Sequence, residues 1–330
     1  MNLSTDYLGL KLRTPFVIGA SPFCESTAVA RQLQDGGAGA LVMRSLFEEQ
    51  IDAESRALVH HLETPADSNP EALSYFPQFS EYLLSPERYL SQIADLKRAL
   101  TIPVIASLNG TRPGGWTDYA RRFEQAGADA IELNLYQLVT DAATTADSVE
   151  SEMVETVRQV VRSVQVPVAV KISPFHTSPA QFVTALEGAG AKGVVLFNRF
   201  YQPDFNIEEM VVSPQLALSD RSELLLRLRW LAIISPQMRG SLAATGGVHT
   251  TTDVVKALLA GAHTVQLVSV LLRHGPRFLT TLVNGLQDWL REHEYESLDQ
   301  LRGAMSHRRC PDPAAFERAN YIRILQSWRV

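Results

Sequence analysis

Cysteine is almost missing from this chain of 330 residues. Cys24 and Cys310 stand far apart with no CxxC spacing, so neither a disulfide framework nor a zinc site is expected. Long apolar runs are missing too, and no stretch reaches the length that spans a bilayer. The opening residues Met1 to Asp6 carry no basic n-region and no apolar h-region, so the expected location is the cytoplasm, away from any membrane. Positive charge is in deficit: 30 Lys and Arg against 36 Asp and Glu give a net charge of −6. With no Lys/Arg-dense face interleaved with aromatics, nucleic acid is not an expected partner, and the short step Arg308-Arg309 reads as solvated surface. An early GxGxxG is also lacking, which argues against a doubly wound dinucleotide-binding sheet.

What is present is a repeated corner. Four times a helix-like stretch runs into Gly-Ala and then into an apolar run, at Gly37-Ala38, Gly127-Ala128, Gly190-Ala191 and Gly261-Ala262. Glycine there closes a helix in the left-handed region without a Cβ penalty, and the small alanine lets a strand begin against the helix. Pro103 and Pro167 stand near the start of two further strands, where a missing donor costs little. Eight strands follow from the pattern: Pro15 to Ser21, Ala40 to Ser45, Val104 to Asn109, Ala130 to Leu135, Val168 to Ser173, Val194 to Asn198, Leu242 to Gly246 and Thr264 to Ser269. Helical spacing fills the gaps, for instance over Pro86 to Leu100 and Val149 to Val164. The expected fold is therefore an α/β protein, a single (β/α)₈ TIM barrel over residues 1–330. Two connections are too long for simple helices, Leu46 to Ser85 after strand 2 and Tyr201 to Asp220 after strand 6. Such loops at a barrel's carboxyl face wall or cover a site, or else cap the barrel or meet a second subunit. Asp312-Pro313 reads as a helix start, so the tail from about residue 300 to 330 is expected to end in a helix.

The strand ends carry polar residues that an apolar core would exclude. Lys171 interrupts Val168 to Ser173, either paired with a barrel carboxylate such as Glu132 or held against an electron-rich ligand. Thr245-Gly246-Gly247 ends strand 7 and Ser269 ends strand 8, where barrels hold phosphates. Asn109, Asn134 and Asn198 close strands 3, 4 and 6, able to cap turns or to bond a polar planar ligand.

Together these segments resemble the dihydroorotate dehydrogenase family of FMN-dependent barrels. The resemblance runs from the opening Leu3 to Pro15 through Gly19-Ala20-Ser21, Glu132-Leu133-Asn134, Val170 to Pro174 and Ala244 to Val248, to Gly275-Pro276. It implies FMN as cofactor, with its phosphate on Thr245, Gly246, Gly247 and Ser269. It implies the ring near Ala20, Ser21, Arg44, Ser45 and Lys171, with Asn109, Asn134 and Asn198 around it. Lys171 would then sit beside the flavin N1/O2 edge and favour the anionic reduced ring, which makes it a catalytic residue.

The departures concern the substrate. Family members carry Cys or Ser as the proton-removing group after strand 4, whereas Asn134-Leu135-Tyr136-Gln137 places Gln137 there. An amide is no general base. Arg44 stands where the family has Lys, and Val268-Ser269 where it has Gly-Thr. Tyr136 becomes the candidate proton donor or an aromatic wall, and Arg44, Asn134, Asn198 and Arg199 the candidate substrate ligands. The expected activity is oxidoreduction of a CH–CH or C=C bond in a small planar, pyrimidine-like molecule, tilted toward reduction because a phenol is the better acid. Beside that substrate, the expected partner is a second copy in a homodimer or an electron-transfer protein. Two rivals remain: a flavin-binding electron-transfer subunit without turnover, and a sugar-phosphate isomerase or aldolase with Lys171 as Schiff-base nucleophile.

Overall fold

All four Gly-Ala corners turn as their glycines require. Gly37, Gly127, Gly190 and Gly261 hold φ of 108°, 98°, 105° and 115° between a helix and the strand it feeds. The computed structural model describes residues 1–47, 85–110, 115–135, 137–199, 201–213, 216–318 and 320–327. Twelve strands are described: β1 Thr5–Tyr7, β2 Leu10–Leu12, β3 Phe16–Ile18, β4 Ala40–Phe47, β5 Val104–Gly110, β6 Ala130–Leu135, β7 Val168–Ile172, β8 Gly193–Leu196, β9 Asp204–Asn206, β10 Val211–Ser213, β11 Ser241–Thr245 and β12 Thr264–Leu267. Eight of them close a parallel barrel in the order β3-β4-β5-β6-β7-β8-β11-β12.

The barrel is filled from below. The antiparallel hairpin β1–β2 pushes Tyr7, Leu8 and Leu12 into the strand-start end, where they pack with Val17, Val42, Ile105 and Val195. Room for that plug comes from four inward alanines, Ala40, Ala130, Ala169 and Ala243, and from Gly193, where a Cβ would come within 2.5 Å of Leu8 Cδ2. A second apolar layer lies between strands and helices. In the helix Pro86–Ala99, Ser85 Oγ accepts from Arg88 N, and Tyr89, Ile93 and Leu96 form its buried stripe.

Strand boundaries differ from the sequence pattern at their ends. The first strand stops at Ile18 because Ser21 opens a 3₁₀ turn, Pro22–Glu25, and the sixth stops at Leu196. The long connection after β8 carries its own small hairpin, β9–β10. Most of the connection after β4, residues 48–84, lies outside the described residues. The tail ends in a helix as expected, Asn320–Gln326, but it starts later than Asp312-Pro313, which opens a 3₁₀ turn, Pro313–Phe316. The Asp312 carboxylate caps no amide of that turn and instead accepts from Arg323 at 2.7 Å, so the start signal is spent on an ion pair.

Candidate active site

The buried charge comes first. Lys171 on β7 donates through Nζ to Glu132 Oε1 of β6 at 2.8 Å, with the two side chains 9% and 1% exposed. The second carboxylate oxygen accepts from Gln266 Nε2 of β12 at 2.5 Å. Below them stands Tyr7, whose hydroxyl is raised well above the usual phenol range by burial and then by the Glu132 charge. The ion-pair reading of Lys171 holds. It is paired with Glu132, and it also lines an open cleft at the mouth together with Ala20, Asn198, Gly246, Gly247 and Ser269. Unpaired, either ion would carry a large desolvation cost at this depth.

On the β11–β12 side the cleft has a backbone floor. Gly246 and Gly247 hold φ of 85° and 80°, and a Cβ on Gly247 would lie 2.4 Å from Leu224 N. Gly247 N donates to Ser219 Oγ at 3.3 Å, and Ser219 N donates to Ser269 Oγ at 3.1 Å. Arg227, nearly fully buried, donates to Thr245 O and, at 2.7 Å, to Glu223 O. The helix Thr251–Ala260 begins here with a capping box between Thr250 and Asp253. The Asp253 carboxylate also accepts from His249 N at 3.1 Å and from Arg221. Burial pushes that carboxyl up, but the bonds from Arg221, Thr250 and His249 outweigh it and hold it below the usual range.

The β4–β6 side is built from side chains. The β4–β5 register shifts between Val42 and Ser45, so one extra residue is accommodated on β4. The bulge turns Arg44 outward, where it donates to Glu25 Oε1 at 2.5 Å. It turns Ser45 inward, 2.8 Å from Ser107 Oγ, and Asn134 Nδ2 donates to both hydroxyls at 3.0 and 2.8 Å. Tyr89 buttresses this knot by donating to Ser107 O at 3.1 Å and accepting from Ser107 N at 2.8 Å. Asn109 is half-buried and opposite Asn134 in the ladder, and Asn134 is opposite Lys171. Asn198 Oδ1 accepts from Arg199 N, and Arg199 lines the cleft while pairing with Glu223 at 3.1 Å. Ser21 is buried against Gly19 O at 2.8 Å. Tyr136 lies outside the described residues. Gln137 lines a neighbouring cavity, next to a His176–Glu150 pair at 2.7 Å.

Lys171, Ala20, Asn198, Arg199, Thr245, Gly246, Gly247 and Ser269 thus share one cleft. Arg44, Ser45, Asn109 and Asn134 stand on β4, β5 and β6 and do not line that cleft. Three participants escaped the sequence reading. Gln266 carries the signal that exposed Lys171, a lone polar residue inside an apolar strand. Arg227 hides in a helix, Leu224–Ile234, that is apolar nearly all round, and Ser219 sits in a loop with no pattern at all.

Fold and cleft define a class: a parallel eight-stranded barrel with a buried cation and a glycine cradle at its strand ends. The sequence comparisons specify it further. A profile of the family described as dihydroorotate dehydrogenase matches residues 78–290. A putative dihydroorotate dehydrogenase A (fumarate) of Aeropyrum pernix is 29% identical, over 93% of this chain and 98% of the relative. The NAD-dependent dihydropyrimidine dehydrogenase subunit PreA of Escherichia coli K12 is 25% identical, over 94% of this chain and 78% of its own. The catalytic subunit of dihydroorotate dehydrogenase B (NAD(+)) of Thermoplasma volcanium is 23% identical, over 93% and 99%. The chain belongs to the dihydroorotate dehydrogenase family, a family of oxidoreductases. Among the described residues no helix is long and apolar enough to cross a membrane.

Proposed function

We propose that this protein is an FMN-dependent oxidoreductase that reduces an activated C=C bond in a small planar, pyrimidine-like substrate. One observation carries the reading: Lys171, fixed by Glu132, faces the same cleft as the glycine cradle Gly246-Gly247. The cleft is a small cavity of about 120 Å³ that opens to solvent at the barrel mouth. The donor set fits a flavin mononucleotide. A cradle that tolerates no Cβ at residue 247 brings backbone amides close to a phosphate. A lysine held by a neutralising carboxylate offers its charge to an electron-rich ring edge without the cost of an unpaired buried ion. When bound, FMN supplies a ring that carries hydride to or from carbon.

The chain's own residues do the rest. Gly246, Gly247 and Ser269 bind the phosphate end, and Lys171 holds positive charge against the ring. Asn198 offers an amide at the rim, while Asn134, pinned by Ser45 and Ser107, is buried opposite Lys171 in the ladder. Arg199, which lines the cleft, attracts a substrate carboxylate or imide, whereas Arg44 is turned toward Glu25. Gln137 removes the ordinary base, and Tyr136 supplies the proton to the carbon opposite the flavin. Names of relatives support the substrate class, since they act on dihydroorotate or a dihydropyrimidine. The subunit naming of the Escherichia coli relative supports electron exchange with a partner protein. The test is purification, mass spectrometry of the released cofactor, and a screen of unsaturated pyrimidines for reoxidation of the reduced flavin. FMN with a reoxidising pyrimidine upholds the reading. FMN with no acceptor turns it toward the flavin-binding subunit that Gln137 also allows, and a sugar phosphate in place of FMN overturns it.

A further inference from the structure

A second cavity lies at the opposite end of the barrel, where strands begin. Its walls are the end of the helix Leu224–Ile234 (Ser235), the corner before β12 (Gly261, His263) and the C-terminal segment with Arg302, Arg308 and Arg309. That segment is firmly seated. Gly303 N, Met305 N and His307 N donate to Leu258 O, Leu259 O and Ala232 O at 3.0, 2.8 and 2.9 Å, so the tail is stitched onto two barrel helices.

Among the described residues no Asp or Glu lines the cavity. Arg302 is spoken for: it pairs with Asp299 at 2.9 Å and donates to Thr5 Oγ1 at 2.9 Å. Arg308 and Arg309 are exposed and make no ion pair with a described carboxylate. His263 adds a neutral donor. Its Nδ1 accepts from Leu242 N at 3.1 Å, which leaves the Nε2–H for the side that faces the cavity. Burial, and then Arg302, push His263 down to about 4, so this tautomer persists at neutral pH.

One structural role for these arginines would be to complement the negative ends of the two helices that finish here. The hydrogen bonds argue against it. The last four carbonyls of Thr251–Ala260 accept from Gly261, Ala262, Gly303 and Met305 amides and from Ser235 Oγ. Those of Leu224–Ile234 accept from Ser235, His307, Gln237 and Met238 amides and from Gln237 Nε2. No arginine caps either helix. Two uncompensated guanidinium groups therefore converge on a cavity in a chain whose net charge is −6.

We propose that this base cavity is a binding site for a phosphate-bearing small molecule, held by Arg308 and Arg309 with His263 as an added donor. Guanidinium forks match phosphate oxygens two at a time, which a hydrated lysine does not. The proposal goes beyond the redox reading of the mouth and does not depend on it, because the two sites lie at opposite strand ends.

The probe is inorganic pyrophosphate, titrated calorimetrically at constant ionic strength into the full-length protein saturated with FMN, so that any phosphate cradle at the mouth is filled. Wild type should bind it at a single site. Arg308→Gln/Arg309→Gln, a change of two exposed side chains, should weaken binding by about tenfold or more. Arg291→Gln, an exposed arginine that pairs with Asp288 and does not line the cavity, should leave affinity unchanged. No binding by wild type, equal affinity in the double variant, an equal loss in Arg291→Gln, or preference for a poly-glutamate peptide over pyrophosphate each overturns the proposal.

Discussion

The two sides of the barrel mouth are built by different means. On the β11–β12 side the groups that face the cleft are backbone, fixed by left-handed glycines, the Thr250–Asp253 box and the buried Arg227. On the β4–β6 side the polar groups are side chains bonded to one another, Ser45, Ser107 and Asn134, brought together by one extra residue on β4. A backbone cradle is nearly indifferent to which side chains surround it, so it serves any ligand that ends in a phosphate. A side-chain surface changes its chemistry with every substitution. Departures from the family stand on both sides, Arg44 and Gln137 on the β4–β6 side and Val268-Ser269 just after β12.

The largest effect expected from this division is on the family's own reaction. With Gln137 in the base position, anaerobic bleaching of the bound flavin by dihydroorotate should run ~10² to 10⁴ times slower than ordinary turnover. Bleaching at ordinary rates would mean that the β4–β6 side keeps a base. Lys171→Met, which strands the Glu132 carboxylate, should cost about 3–5 kcal/mol in urea unfolding, and Lys171→Met/Glu132→Gln should recover most of it. A double variant as unstable as the single one would show that the pair is not what holds the centre of the mouth. Tyr136→Phe keeps the ring and removes the hydroxyl, so hydride transfer to the acceptor should slow by roughly 10² in stopped flow while flavin reduction by an external donor is unchanged. Equal transfer rates would make Tyr136 a wall.

The smallest effect concerns acid and the cradle side. His249 packs beside Ser219, and burial first, then Arg273, lower its pKa below the ordinary histidine value. The unfolded chain thus binds its proton more readily, so this part of the stability is complete above about pH 6.5 and is lost as pH falls. His249→Gln should flatten the decline of Tm between pH 7 and 5. An unaltered slope would remove His249 from the acid response.

Legibility followed the same division. The Gly-Ala corners gave away the barrel because a left-handed helix end admits few residues besides glycine, and Lys171 stood out because a charge in an apolar strand demands a partner. The bulge that turns Arg44 out toward Glu25 and Ser45 inward was not readable, since it depends on the register of β4 against β5, whose paired residues lie 62 or 63 positions apart, as with Ser45 and Ser107 at 62. Arg227 was invisible because its partners are the carbonyls of Thr245 and Glu223, which every sequence possesses. Arg308 and Arg309 looked like open surface because the helices that wall their cavity come from far earlier in the chain.

The most direct test of the account is an equilibrium titration of the apoprotein with FMN and with riboflavin, in wild type and in Gly247→Ala. The two ligands share the ring and differ in the phosphate. The account predicts that wild type binds FMN far more tightly than riboflavin, and that Gly247→Ala, whose Cβ meets Leu224 N at 2.4 Å, loses most of that preference while still binding the ring. Equal affinity for FMN and riboflavin in wild type would contradict it.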